Sequence, residues 1–261
     1  EAIVTAVMNA ARCWPVRVWG TDGTFHTTTE AKERWETVAA ANWHALATYV
    51  GRFAPTHDAL LIDIGSTTTD IIPLSSGVPH TWGKTDVERL NFAELVYTGV
   101  KRTPVCAVVN DRVCAELFAD MRDVYLVLGM RPESAGTVDT SDGRPETIPF
   151  AQARLARMLG GDRSTIPEID LVRFATRCHQ RQRDMIRTGI CDVLNGQQRP
   201  LDLRTVIQSG SGEFLAAQAW EQARPDASDV PVMSLTDRLG PAVAEGAPAF
   251  AVAVLAQERP L

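Results

Sequence analysis

The stretch LLIDIGSTTTDIIPL, Leu60 to Leu74, constrains this chain more than any other. Leu60-Leu61-Ile62-Asp63-Ile64 is apolar except for one carboxylate. Gly65-Ser66-Thr67-Thr68-Thr69 supplies small, hydroxyl-bearing turn residues, and Asp70-Ile71-Ile72 resumes before Pro73. β-Branched runs flanking a Gly/Ser turn read as a hairpin. The simple register pairs Ile64 with Thr69 and Asp63 with Asp70. Like charges placed directly opposite one another, with Cβ atoms about 5 Å apart, destabilise a hairpin. One that tolerates them is expected to hold a cation near the carboxylates, while turn amides and Thr hydroxyls point out as anion donors. Carboxylates, Mg²⁺ and phosphate oxygens form a consistent set. The plainer alternative is an ordinary hairpin, with Asp63 starting the turn and Asp70 in solvent.

A chain of 261 residues can bury a sizeable core in one large domain or two small ones. The net charge of -6 argues against a general nucleic-acid surface. No apolar run reaches membrane-spanning length, and no signal-peptide pattern opens the sequence. Five cysteines (Cys13, Cys106, Cys114, Cys178 and Cys191) form no C-x-x-C pair, which fits a reduced cytoplasmic chain without structural zinc. Cys178-His179 reads as packing, because adjacent helical residues do not face each other.

Thr27-x-x-Glu30 predicts a capping box opening a helix to about Tyr49, with Trp35, Ala39, Trp43, Leu46 and Val50 as a buried stripe. Asn42 lies at its edge and His44 just past Trp43; taken alone His44 reads as a satisfied polar residue, and the other reading is that it orients a substrate group or moves a proton. Ala54 to Asp58 reads as a linker. The loop Tyr97 to Pro104 offers Lys101 and Arg102 to a diphosphate, Arg102 being the better bidentate partner; alternatively it is a solvated loop. A strand is expected at Val105 to Val109 and a helix from Asp111 to Met130. A long loop from Arg131 to Phe150 follows, then helices at Ala151 to Leu159 and Ile169 to Leu194. The arginines of that last helix (173, 177, 181, 183 and 187) read as a solvated face. Leu203 to Ile207 is a strand running into Gln208-Ser209-Gly210-Ser211-Gly212 and a helix start at Glu213. There Gly210 and Gly212 either bring backbone to a ligand or allow tight packing. A strand at Val232 to Leu235 and an Ala-rich helix from Pro241 to Gln257 close the sequence.

The DIGSTTTDIIP segment resembles the second phosphate motif of the actin, sugar-kinase and chaperone ATPase superfamily, and within it the hydantoinase A and oxoprolinase group. It is most similar to a branch tied to tetrahydromethanopterin-linked one-carbon metabolism and methanofuran biosynthesis. AANWHALA (Ala40 to Ala47), YTGVKRTPV (Tyr97 to Val105), DGRPET (Asp142 to Thr147), ARLARMLGGD (Ala153 to Asp162) and SGSGEFLA (Ser209 to Ala216) extend the likeness over nearly the whole chain.

The resemblance implies an α/β fold, an actin-like (ribonuclease H-like) ATPase fold comprising mainly the C-terminal lobe. Residues 1–57 would be a remnant of the N-terminal lobe with a connecting helix. Residues 58–261 would be the C-terminal lobe, with a helical insertion at about 111–199. No first phosphate loop occurs before Leu60, so a fragment lacking much of the N-terminal lobe is expected. The implied activity is a transferase of a methanofuran-type cofactor. It joins an aminomethyl-furan diphosphate to the phenol oxygen of γ-glutamyl-tyramine and releases pyrophosphate. Asp63 and Asp70 would hold Mg²⁺. Gly65, Ser66, Thr67, Thr68, Thr69 and Arg102 would bind phosphate, Gly210 and Gly212 would face the ligand, and Asp70 and His44 are the candidate bases. The implied partners are small-molecule diphosphate and phenolic amine substrates, with no nucleic acid or membrane; self-association is left open. Two alternatives stand beside this: an ATP-dependent hydantoinase or oxoprolinase-type amidohydrolase subunit, or a non-catalytic phosphate-ligand-binding subunit.

Overall fold

A computed structural model describes residues 2–12, 14–109, 112–198 and 200–259. Cys13 and the expected boundaries at Asp111 and Arg199 lie outside the described residues. Helix α1 (Ala2–Ala11) precedes a small hairpin of β1 (Arg17–Trp19) and β2 (Phe25–Thr27). The Thr27–Glu30 capping box forms as expected, but the long helix does not. The chain makes α2 (Thr28–Glu33), α3 (Trp35–Val38) and α4 (Asn42–Val50). Between the last two, Ala39 is extended and Ala40 takes a positive φ of 53°. The Thr37 carbonyl accepts a bond from Thr21 N at 2.9 Å, so the β1–β2 hairpin captures the end of α3. The expected stripe is therefore cut: Trp35 is 62% exposed, while Trp43, Leu46 and Val50 are buried.

The centre is a sheet in the order β5-β4-β3-β7-β8, with β6 also on β4. Its strands are β3 (Asp58–Ile64), β4 (Thr69–Ser75), β5 (Val78–Pro79), β6 (Leu95–Val96), β7 (Leu203–Ser209) and β8 (Val232–Ser234). Strand β3 is antiparallel to β4 and parallel to β7, and β7 is parallel to β8. Every residue of β3 is buried, as a strand covered on both faces requires.

Side-chain alternation assigns the two faces. Leu60, Ile62, Ile64, Ile71 and Val206 pack under the helical layer. That layer holds α6 (Val105–Val108), α7 (Met121–Val127), α8 (Ile148–Met158), α9 (Glu168–Asn195) and α10 (Glu213–Ala223). Short α5 (Asp86–Asn91) lies before β6. Ala59, Leu61, Ile72, Leu74 and Ile207 pack on the other face, against α4, α11 (Leu235–Leu239) and α13 (Ala247–Glu258). A short α12 (Pro241–Ala244) precedes α13, so the closing Ala-rich helix is split at Glu245-Gly246.

Two further expectations change. The segment after Pro104 forms α6 and not a strand; Pro104 at its N-cap, with φ near -60°, suits a helix start. The helix expected from Asp111 shrinks to α7, because Asp120 and Asp123 build a capping box at that later point. Helix α9 matches its expected span within a residue at each end, and Arg173, Arg177 and Arg181 are exposed along it. Cys106, Cys114, Cys178 and Cys191 are free thiols. Among the described residues, no helix is long and apolar enough to cross a membrane.

Candidate active site

The hairpin register is the one the sequence predicts, Ile64 opposite Thr69 and Asp63 opposite Asp70. Parallel pairing with β7 adds Ser209 on the other side of Asp63. A polar row, Asp70–Asp63–Ser209, thus crosses three strands where they give way to turns. Open α/β sheets offer ligand sites at such strand ends.

Asp63 is only 6% exposed, and neither its Oδ1 nor Ser209 Oγ makes a hydrogen bond of ordinary geometry. Burial first, and then the charge of Asp70, push the Asp63 carboxyl up to about 7, with Glu213 adding to the shift and the nearby Ser209 hydroxyl opposing it. An unpartnered buried carboxylate oxygen is costly, so this atom awaits a cation, a proton or a donor.

Asp70 is different. Arg89 Nη2 donates to its Oδ1 at 2.7 Å. The guanidinium is 1% exposed, lies 3.9 Å from the centre of the Trp43 ring, and also donates to the Glu94 carbonyl at 3.0 Å. Glu94 in turn accepts from the amides of Trp82 and Gly83. Burial raises the Asp70 pKa and Arg89 opposes it. The cation that the facing carboxylates demand is therefore supplied, on the Asp70 side, by Arg89. Sequence reasoning missed Arg89 because it lies 19 residues away on an unremarkable helix. Ser209 carries no side-chain signal in the sequence, because a serine beside Gly210 and Gly212 reads as part of the turn and only the parallel pairing of β3 with β7 sets it beside Asp63.

The turn itself closes with Gly65 N donating to Thr68 O at 2.9 Å. Gly65, Ser66, Thr67 and Thr68 are half-buried, and the hydroxyls of Ser66 and Thr67 lie 3.3 Å apart. Thr69 is fully buried and its hydroxyl donates to the Thr98 carbonyl at 2.7 Å, so it ties the turn to the next loop. The amides of Val100, Lys101 and Arg102 donate to Gly65 O and Ser66 O at 2.8–3.1 Å. Gly99 lies so close that a Cβ there would meet Thr67 N at 2.5 Å. Arg102 is anchored beside the turn by its backbone, with an exposed side chain. The Lys101 ammonium pairs with Glu245 at 3.1 Å.

Gly210 takes φ +85°, and a Cβ on it would sit 2.4 Å from Ile64 O and 2.8 Å from Asp63 Oδ1. Gly212 donates its amide to Ile64 O and abuts the Ile64 side chain. Close packing against the end of β3 already accounts for both glycines. His44 is not brought to the turn. It is buried beside Trp19 and Trp43, and burial first, then the charge of Lys84, push it down to about 4. Among the described residues, no three His, Cys, Asp or Glu side chains converge as a metal cage. A divalent ion would rely on Asp63 together with ligand oxygens and water, an arrangement that suits Mg²⁺.

Residues 1–111 match the Hydantoinase/oxoprolinase family. The chain is 32% identical over 267 residues to a Methanocaldococcus jannaschii protein, (4-{4-[2-(gamma-L-glutamylamino)ethyl]phenoxymethyl}furan-2-yl)methanamine synthase, covering 99% of this chain and 77% of that one. This chain belongs to the family of that synthase. The corresponding synthase of Methanococcus vannielii is 30% identical over 206 residues, covering 76% of this chain and 90% of its own. In three dimensions the chain is similar to a nucleotide-free acetone carboxylase, with a TM-score of 0.60 at 14% identity, over 95% of this chain and 37% of that one. The fold is the actin-like ATPase fold.

Three further segments of family likeness converge on the polar row. AANWHALA supplies the ring under Arg89, YTGVKRTPV the loop on the turn, and SGSGEFLA begins at Ser209. DGRPET and ARLARMLGGD instead meet each other, through Asp142 and Arg154 at 3.0 Å.

Proposed function

We propose that this chain is a furan-methanamine synthase of methanofuran-type cofactor biosynthesis, serving tetrahydromethanopterin-dependent one-carbon metabolism. It couples an aminomethyl-furan diphosphate to the phenol oxygen of γ-glutamyl-tyramine. The observation that carries this reading is the 32% identity to the M. jannaschii synthase over 99% of the chain, a span in which the Asp70–Asp63–Ser209 row lies. Its substrates are small molecules, and we assign the chemistry to the cytoplasm.

In this reaction the phenol oxygen bonds to the furan methylene, and the methylene–diphosphate C–O bond breaks. The electron pair departs with pyrophosphate, and the phenol proton is lost. Negative charge grows on the leaving group, so fixed donors and a cation lower the barrier. We assign Mg²⁺ to the Asp63 carboxylate, where a bound ion would neutralise charge on the diphosphate. Ser66 through Thr68 present backbone and hydroxyl donors to phosphate oxygens, while Gly65 spends its one N–H on closing the turn, and Arg102 adds positive charge from the rim. A phenol of pKa about 10 needs a proton acceptor. Asp70 is the candidate base in the row, and Arg89 holds its carboxylate in place.

The test is incubation with Mg²⁺, the furan diphosphate and γ-glutamyl-tyramine, with mass detection of the ether and a parallel reaction containing ATP alone. Ether formed without ATP, and lost in Asp63→Asn, is the expected result. ADP with no ether would replace this reading with the ATP-dependent amidohydrolase.

A further inference from the structure

The turn is held by the loop from Tyr97 to Thr103, and one side chain holds that loop from the opposite side. We propose that Gln182, in the middle of α9, is a positioning residue for the phosphate turn. This rests on the diphosphate reading above and adds to it a residue outside the hairpin and its loop.

Gln182 is fully buried. Its Nε2 donates to Thr98 Oγ1 at 2.7 Å and to the Gly99 carbonyl at 2.8 Å, and its Oε1 accepts from the Tyr125 hydroxyl. The amide orientation is fixed by chemistry, since a backbone carbonyl can only accept. Both donors and the acceptor are therefore spent on named partners. A leucine or methionine would fill the same space in the apolar layer without the desolvation cost of an amide.

The bonds continue to the turn. Thr98 Oγ1 donates on to Thr103 Oγ1 at 3.4 Å, and Thr103 Oγ1 also accepts from Gly99 N at 2.8 Å. The Thr98 carbonyl receives the Thr69 hydroxyl. Val100 N bonds Gly65 O, and Lys101 N and Arg102 N bond Ser66 O.

These last bonds set the direction of the turn's own amides. A trans peptide is planar, with its C=O and N–H on opposite sides. Tying Gly65 O to the loop turns the Ser66 N–H away from it, and tying Ser66 O does the same for the Thr67 N–H. Two donors are thereby aimed outward, where an anion can meet them. Gln182 fixes the loop that fixes those two peptide planes. Preorganised donors of this kind depend on the groups that lock them.

The test uses Gln182→Met, which keeps volume and removes the hydrogen bonds, with Tyr125→Phe as a control that spares both donors. Thr98→Val provides a second variant that cuts the same link from the loop side, should Gln182→Met fail to fold. Amide hydrogen exchange is followed at Val100, Lys101 and Arg102, and inorganic pyrophosphate is titrated in the presence of Mg²⁺. The expected result for Gln182→Met is faster exchange at those amides and pyrophosphate binding weakened by about tenfold or more. Thr98→Val should move the same way by less, and Tyr125→Phe should stay close to wild type. Unchanged exchange, or unchanged affinity in a variant of a wild type that binds, overturns the role of Gln182. A wild type that binds no pyrophosphate overturns the diphosphate reading instead, and the exchange data then decide whether Gln182 holds the loop.

Discussion

Asp63 and Asp70 face each other with the same side chain and opposite circumstances. Asp70 has Arg89 at 2.7 Å, while Asp63 Oδ1 has no hydrogen bond and its carboxyl is raised to about 7. The sign of the consequence follows from proton counting. The folded carboxyl binds its proton more tightly than the unfolded one, whose ordinary value is 3.8. Its contribution is thus fully present below about pH 4 and is lost as pH rises towards 7. Asn at this position mimics the protonated form at every pH. Measured by urea unfolding in chelator, Asp63→Asn should match wild type near pH 4 and exceed it at pH 8. At about 1.4 kcal/mol for each tenfold change in proton affinity, the rise from 3.8 to about 7 caps the gain at about 4 kcal/mol. Asp120, also raised to about 7 by burial and by Asp123, acts in the same window, but it is common to both proteins and cancels in the difference. A stability gap that does not change with pH would sink this account of Asp63. The same variant should lose activity by about 10²-fold or more, because the lost carboxylate would hold the Mg²⁺ that neutralises the leaving diphosphate.

Between elements, the helical layer is locked by buried charge. Arg154 of α8 is fully buried and donates to Asp123 of α7 at 2.6 and 2.9 Å and to Asp142 at 3.0 Å. Asp142 also binds Arg144, and Arg122 reaches Glu146 at 3.5 Å, so the loop between α7 and α8 is pinned at several points. Removing Arg154 leaves Asp123 buried without its counter-charge. Arg154→Met should cost about 3–5 kcal/mol in chemical unfolding and open the 131–147 loop to proteolysis. A loss below about 1 kcal/mol would show that the charges re-pair elsewhere.

This lock also marks where the sequence was legible. DGRPET and ARLARMLGGD were visible as segments, but nothing local says that Asp142 and Arg154 meet. The hairpin was readable to the residue, because its register follows from a short turn and strict alternation. Helix α9 was readable because its apolar period is long and unbroken. The break at Ala39-Ala40 was not, since two alanines carry no stop signal and a backbone bond from Thr21 decides it. Of the site, Asp63 and the turn were read from spacing. Arg89, Trp43 beneath it, and Ser209 came only with the fold, since each is brought in by tertiary packing.

Across the whole molecule, the row lies where both halves of the core end. One face of β3 belongs to the α6–α10 layer and the other to α4, α11 and α13. Asp63 sits at the turn end of the strand that both layers share, paired on one side with β4 and on the other with β7. A ligand bound there touches the element on which the entire fold is built. Binding to the folded state alone stabilises it by mass action. At a hundredfold excess over Kd the gain is about 2.7 kcal/mol. For a chain of roughly this size each kcal/mol raises Tm by about 2–4 °C, so Mg²⁺ with pyrophosphate should raise it by about 5–11 °C. Mg²⁺ alone should do less, because one carboxylate is a thin ligand set without phosphate oxygens. The shift should vanish in Asp63→Asn and survive in His44→Ala, whose ring lies behind Trp43. If the shift persists in Asp63→Asn, pyrophosphate binds elsewhere, and the row loses its claim to the leaving group.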